Sequence, residues 1–249
     1  MLLPDQVMAL SPAGIAEAHE WPADRRWVRA VMVSTADGVA ISPAGLSGGI
    51  SSPSDRLLFA TLRGLADVII VGAETARKEG YGPVEPRHEV AERRRLAGQS
   101  PAARLAIVSR SGALDPSSTL FTGPDRPIVI TVRDLPPERL AALTPVADII
   151  AFGEGSVDFA ATLDQLSELG LTRISCEGGP HLLGDLVAAG LVDELCLSIT
   201  PLISGGTYAD GQPLPRILAG VPLPNAPHPL RLAHVMEDHG TVFLSYLLE

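Results

Sequence analysis

The residues best suited to chemistry fall in one stretch, Ile174-Ser175-Cys176-Glu177-Gly178-Gly179-Pro180-His181-Leu182-Leu183. The run into it is β-leaning, while Leu182, Leu183, Leu186 and Val187 recur at helical spacing. Pro180 suits the first turn of a helix. Paired glycines between strand and helix let backbone amides approach a ligand where the helix dipole presents partial positive charge, which is one way to hold a phosphate. A sharp connection alone would account for the glycines equally well. Glu177 points further: a carboxylate beside an anion site suits a second, electron-poor or hydrogen-bond-donating ligand.

Other strand ends carry similar groups. The run 67–71 is continuously apolar and turns through Gly72-Ala73-Glu74-Thr75 into a short helix, a second strand-Gly-helix junction. Leu105 to Ser109 ends in Ser109-Arg110-Ser111-Gly112, a hydroxyl and a cation where a 2′-phosphate would fit or a plain turn would serve. There is no Gly-x-Ser-x-Gly elbow, no His-Glu-x-x-His, no Walker loop and no Gly-x-Gly-x-x-Gly, so hydrolysis ranks low and no metal site is expected. His19-Glu20 is half of a zinc-deaminase pattern without its Pro-Cys-x-x-Cys half. Hydride transfer suits this scarcity of acid-base groups, because a cofactor supplies the reactive carbon and the protein positions it.

The composition agrees with such a site. In 249 residues, 46% are hydrophobic and mean hydropathy is +0.23, enough for a substantial core. A net charge of -10 and a pI near 5.0 disfavour nucleic acid as a partner and leave phosphate binding to a few local arginines and amides. The cysteines, Cys176 and Cys196, lie in apolar runs and form no CxxC pair, which fits a reducing compartment. With no membrane-length apolar run and no signal-peptide pattern in residues 1–21, the sequence reads as cytoplasmic, with no membrane partner.

The elements that must position these groups alternate. Residues 1–26, with Pro4, Pro12 and Pro22, read as a leader packed loosely on the body, which runs from 27 to 249. A first strand at 27–35 ends at Ala36-Asp37-Gly38, where Asp37 either makes the turn or orients the site. Ser52-Pro53 starts a helix that runs to about Arg63, a residue that alone would read as solvated. Residues 85–99, with Arg87, Arg93, Arg94 and Arg95, read as a charged surface. Further strands at 128–131 and 148–152, helices at 136–143 and 158–169, and a strand within 192–199 continue the alternation, so the fold class is α/β with a mostly parallel sheet flanked by helices. A Gly/Pro-rich connection at 201–229 leads to a closing antiparallel hairpin, 230–236 with 241–248, whose outer strand 241–248 would leave an open sheet edge; a homodimer that buries it is expected.

Taken in order, Thr35-Ala36-Asp37-Gly38, Ile50-Ser51-Ser52-Pro53 with Arg63, Val71-Gly72-Ala73-Glu74-Thr75 with Tyr81-Gly82-Pro83, and Glu177-Gly178-Gly179-Pro180 with Leu191-Val192-Asp193-Glu194 resemble the riboflavin-biosynthesis pyrimidine reductase family. That family is the reductase half of the bifunctional deaminase-reductase and has a dihydrofolate-reductase-like fold; here the resemblance covers 27–249, as a stand-alone form. It implies NADPH-dependent reduction of the ribosyl chain of 5-amino-6-(5-phosphoribosylamino)uracil to the ribityl form. It implies a cofactor lying along Ser34, Thr75, Glu79, Ser109, Gly178, Gly179, Pro180, His181, Leu182 and Leu183. A phosphorylated pyrimidine would meet Ser47, Arg63, Pro83, Arg87 and Glu177, with the arginines on its phosphate. Glu177 and Asp37 are the candidate catalytic residues. The chain departs from the family at Ala36 and at Val31, where members often carry Lys or Asn. Two other readings stay open: an NADPH-dependent dihydrofolate or pterin reductase, and a non-catalytic NADPH-binding regulatory protein.

Overall fold

A computed structural model describes residues 10–85, 87–224 and 226–248. The ordered elements are α1 (Pro12–Ala18), β1 (Trp27–Thr35), α2 (Pro53–Leu65), β2 (Val68–Gly72), α3 (Ala73–Lys78), α4 (Ala91–Leu96), β3 (Arg104–Val108), β4 (Ile128–Thr131), α5 (Pro137–Leu143), β5 (Asp148–Ala151), α6 (Phe159–Glu168), β6 (Arg173–Cys176), α7 (Pro180–Ala188), β7 (Glu194–Thr200), β8 (Leu230–Asp238) and β9 (Thr241–Leu248). They build a sheet of order β5-β4-β3-β2-β6-β1-β7-β9-β8. Pairing is parallel from β5 through β7 and antiparallel at β9 and β8.

The parallel strands are apolar on both faces because helices cover both. Leu163 and Leu166 of α6 and Leu183 and Leu186 of α7 pack on Val28, Ile70, Ile128 and Ile174. The opposite face takes Leu143 of α5 over Ile69, Ile107 and Val129, and Leu58 and Leu62 of α2 over Val31 and Cys196. Each fully buried leucine contributes about 1.5–3 kcal/mol. Helix starts follow local chemistry: Ser52 caps α2 by accepting from Asp55 N at 3.0 Å, with Pro53 next, and Asp158 caps α6 through Ala161 N. The β8–β9 hairpin turns on His239 and Gly240, both at positive φ as a two-residue I′ loop requires.

Three expectations need correction. Residues 1–9 of the expected leader lie outside the described residues, but 10–26 are not loosely packed: Ile15 of α1 is fully buried against α2, and His19 is buried beside β8. Residues 85–99 are not wholly a solvated face. Arg94 is buried and donates to the carbonyls of Gly64, Ala66 and Ser100, satisfying the C-terminal end of α2. The open edge is β8, because β9 lies between β7 and β8.

Candidate active site

A cleft of about 1180 Å³ opens at the carboxyl ends of β1, β2, β3 and β6. In a parallel sheet that is where the chain leaves each strand with backbone amides directed outward, and β6 inserts between β2 and β1 at this point.

One wall is the β6–α7 junction. Gly179 is the N-cap of α7, with no side chain capping the helix and no acidic residue in its first turn. Pro180 has no amide hydrogen, and the first in-helix bond is from Leu183 N to Gly179 O, so the His181 and Leu182 amides are the ones presented to the cleft. The junction is locked onto the next strand by Gly72 N, which donates to Gly178 O at 2.7 Å. Thr75, on α3, presses close: a Cβ built on Gly179 would stand 2.5 Å from its Oγ1, so any larger residue there must displace the Thr75 side chain. Gly178 needs its freedom for another reason, a φ of 80°. Ser109, Arg110 and Ser111 continue this wall beyond β3.

The facing wall is polar and held by ion pairing. Arg63 Nε and Nη2 donate to the two oxygens of Glu177 at 3.0 and 2.6 Å, and the Tyr81 hydroxyl donates to the second of these at 2.7 Å. The Glu177 side chain is fully buried while that of Arg63 is 27% exposed. Burial works against the guanidinium charge, but the Glu177 carboxylate and Tyr81 outweigh it and hold the Arg63 pKa above its usual value. Burial, then the Glu177 charge, pushes the Tyr81 phenol well up, so its proton stays in place. Ser47 and Glu79 join across this wall, the Ser47 amide donating to the Glu79 carboxylate at 2.7 Å. The loop between β7 and β8 closes the rim, Ala219 N donating to Pro180 O at 3.0 Å.

Of the residues named from sequence, Ser47, Arg63, Thr75, Glu79, Pro83, Ser109, Glu177, Gly179, Pro180, His181 and Leu182 line the cleft. The others do not. Asp37 is exposed on the far side of its turn, its carboxylate accepting from the Thr35 hydroxyl and from the amides of Ser204 and Gly205, which hold its pKa below the usual value. It fastens a loop and lies outside the cleft lining. Arg87 lies against Gly64 of α2 and pairs with Glu89. Ser34 and Leu183 are buried, and Gly178 lies behind the junction. Glu177 is in the cleft, where three hydrogen bonds engage its carboxylate, two of them fixing the Arg63 guanidinium.

Two lining residues were missed. Tyr81 was visible only as part of a loop signature. Asp55 looked like a first-turn helix residue, yet it is buried on the cleft with the Ser51 and Ser198 hydroxyls beside it, and burial raises its pKa.

Solved structures share this architecture. A pyrimidine reductase-like protein of Corynebacterium diphtheriae superposes with a TM-score of 0.81 over 96% of this chain and 98% of its own, at 29% identity. The riboflavin biosynthesis reductase of Saccharomyces cerevisiae shares the fold, with a TM-score of 0.63 at 15% identity over 96% of this chain and 99% of its own. These neighbours share the α/β fold, and the protein's family and curated relatives make it one of the oxidoreductase class. It belongs to the RibD C-terminal domain family, whose sequence model matches residues 26–238. Curated relatives are the 2,5-diamino-6-ribosylamino-4(3H)-pyrimidinone 5′-phosphate reductases of Methanothermobacter thermautotrophicus, 32% identical over 72% of this chain and 81% of theirs, and of Archaeoglobus fulgidus, 28% identical over 66% and 76%. No described helix is long and apolar enough to cross a membrane.

Proposed function

We propose that the protein is an NADPH-dependent reductase that converts the ribosyl chain of a ribosylaminopyrimidine 5′-phosphate to its ribityl form, in the riboflavin pathway and in the cytoplasm. The observation that carries this reading is the pairing of two unlike walls in one cleft: amides at the head of α7 for one anionic ligand and a braced arginine for another. NADPH, when bound, supplies a hydride to the ribosyl C1′. The first turn of α7 fits its pyrophosphate, and Ser109, Arg110 and Ser111 at the end of β3 fit a 2′-phosphate. Arg63, fixed by Glu177 and Tyr81, offers its remaining N–H groups to the substrate phosphate. Apolar Val31 and Met32 floor the cleft and keep water from the hydride path. The curated relatives are named for the 2,5-diamino heterocycle, which favours that form over the uracil.

Purified protein with NADPH and each of the two pyrimidine phosphates tests the reading through loss of NADPH absorbance and formation of the ribityl product. The apolar Val31 on the cleft floor favours one alternative, a dihydrofolate or pterin reductase. Turnover of dihydrofolate without either pyrimidine would establish it, and NADPH binding without turnover of any of the three would leave a regulatory protein. A homodimer joined through β8 completes the proposal.

A further inference from the structure

Behind the cleft, under α1, lies a second group of chemically capable side chains that the reductase reading does not use. His19, at the end of α1, stands over β7, where Glu194 and Cys196 point to the same face, and His234 reaches in from β8. None of these residues lines the cleft. His19, Glu194 and Cys196 are buried and each can bring a ligand atom within 4.8 Å of the others.

Two contacts have the spacing of neighbouring ligand atoms in a coordination shell, while His234 touches His19 but stands outside the 4.8 Å group that the other three form. His19 Nε2 lies 3.2 Å from His234 Nε2, and Cys196 Sγ lies 3.3 Å from Glu194 Oε1. With ligand bonds of about 2.0–2.3 Å, neighbouring ligand atoms of a tetrahedral zinc ion stand roughly 3.3–3.8 Å apart. The outer contacts are also those that metal ligands require. His19 Nδ1 faces Ile15 O at 2.9 Å, a bond in which the nitrogen must donate, which leaves Nε2 with its lone pair turned inward. Glu194 Oε2 is fixed by Arg29 Nε at 2.8 Å and Trp27 Nε1 at 3.0 Å, while Ser245 Oγ donates to Oε1 at 2.7 Å.

We propose that His19, Glu194 and Cys196, with the neighbouring His234 ring turning in as the fourth ligand, form a binding site for one zinc-like divalent cation, a structural site that ties α1 and β8 to β7. Two neutral imidazoles, one carboxylate and one thiolate make a donor set that suits zinc better than calcium or magnesium. Binding breaks the Cys196 S–H bond, the sulfur lone pair goes to the metal and the proton leaves to solvent. The half-exposed His234 gives the ion its route in. Arg29 stays outside the shell, bonded to the oxygen that faces away from the sulfur. A hydrogen bond between the two imidazoles is the competing account of their approach, and it requires no metal.

The test is titration of the chelator-treated full-length protein with cobalt(II), then displacement by zinc. The site predicts one equivalent per chain, a near-ultraviolet sulfur-to-cobalt charge-transfer band, and a rise in Tm on adding zinc. Cys196→Ser abolishes the band, His234→Ala lowers zinc affinity on the order of 100-fold, and Cys176→Ser, in the other core, changes neither. Circular dichroism establishes that each variant is folded. Absence of the band in folded wild-type protein, or its persistence in Cys196→Ser, overturns the proposal. Both readouts are independent of reductase turnover.

Discussion

Arg63 and Glu177 meet through two parallel N–H···O bonds, from Nε at 3.0 Å and Nη2 at 2.6 Å, across sequence positions contributed by α2 and by the end of β6. A two-point bond fixes the plane of the guanidinium as well as its position, and the Tyr81 hydroxyl holds the carboxylate from a third side. Arg63 → Ala should raise KM for the substrate phosphate by about 10- to 150-fold, the worth of a charge-assisted hydrogen bond, with NADPH affinity unchanged. Glu177→Gln should shift KM the same way and reduce stability by about 2 kcal/mol, since breaking a buried pair costs roughly 3–5 and Arg63 keeps some contact with water. Steady-state kinetics with urea unfolding checks both. A Glu177→Gln enzyme with lost kcat but unchanged KM would return Glu177 to a direct catalytic role.

Gly179 and Thr75 make a second pair with consequences for the cofactor. A methyl group at 179 would stand 2.5 Å from Thr75 Oγ1, closer than real contacts allow, so Gly179→Ala must turn the Thr75 side chain away or push α3 from α7. NADPH affinity should fall by about 10-fold or more, a loss of roughly 1.4 kcal/mol or above. Adding Thr75→Ala removes the offending oxygen and should restore part of the affinity in a fluorescence titration. If the double variant binds as weakly as the single one, the clash is not the cause.

How far this could be read from sequence varied with the range of the interaction. Local signals carried the fold: Ser52-Pro53 started α2, apolar runs marked β2 and β4, and the break at 237–240 marked the hairpin, where β8 runs on to Asp238 and leaves only His239 and Gly240 in the turn. Gly178-Gly179 placed the head of α7 for the same reason. The errors arose where a polar residue's role depends on partners distant in sequence. Arg94 is a surface arginine by its neighbours but a cap by its carbonyl acceptors at 64 and 66. Asp37 sits in a turn whose partners, the amides of Ser204 and Gly205, come from another loop. Glu177 was legible as a site residue, but nothing near it announced that Arg63 would occupy it.

Asp55 allows a test through pH. Burial disfavours its charged form, and the Ser198 and Ser51 hydroxyls offset this only in part, so the folded-state pKa lies above the unfolded one. A carboxyl raised in this way favours the folded state at low pH, and that contribution is lost as pH rises through the folded pKa. Above the unfolded pKa the buried carboxyl therefore costs stability. Asp55→Asn, which still accepts from Ser51, should raise the urea midpoint at pH 7 and narrow the advantage, or remove it, at pH 4. An equal effect at both pH values would mean that the charge is not what is being relieved.

The outer edge of the sheet carries the prediction for assembly. Along β8, Leu230 and Leu232 are 40% and 49% exposed, an apolar pair on a strand whose outer backbone groups have no neighbouring strand among the described residues. The register shift between Leu232 and His234 bends the edge, which hinders continuous strand-to-strand pairing between copies. The contact should therefore be made by side chains, about a two-fold axis that uses each leucine twice. Leu232→Glu then removes two burials worth about 0.7–1.5 kcal/mol each, since Leu232 is already half covered in the protomer, and places two like charges at the axis, so the dimer should weaken by roughly 10- to 150-fold or more. Sedimentation equilibrium at micromolar protein should find the wild type as a dimer and Leu232→Glu as a folded monomer. A wild-type monomer would show that β8 is left open to solvent, and a dimer unaffected by Leu232→Glu would move the interface to another surface.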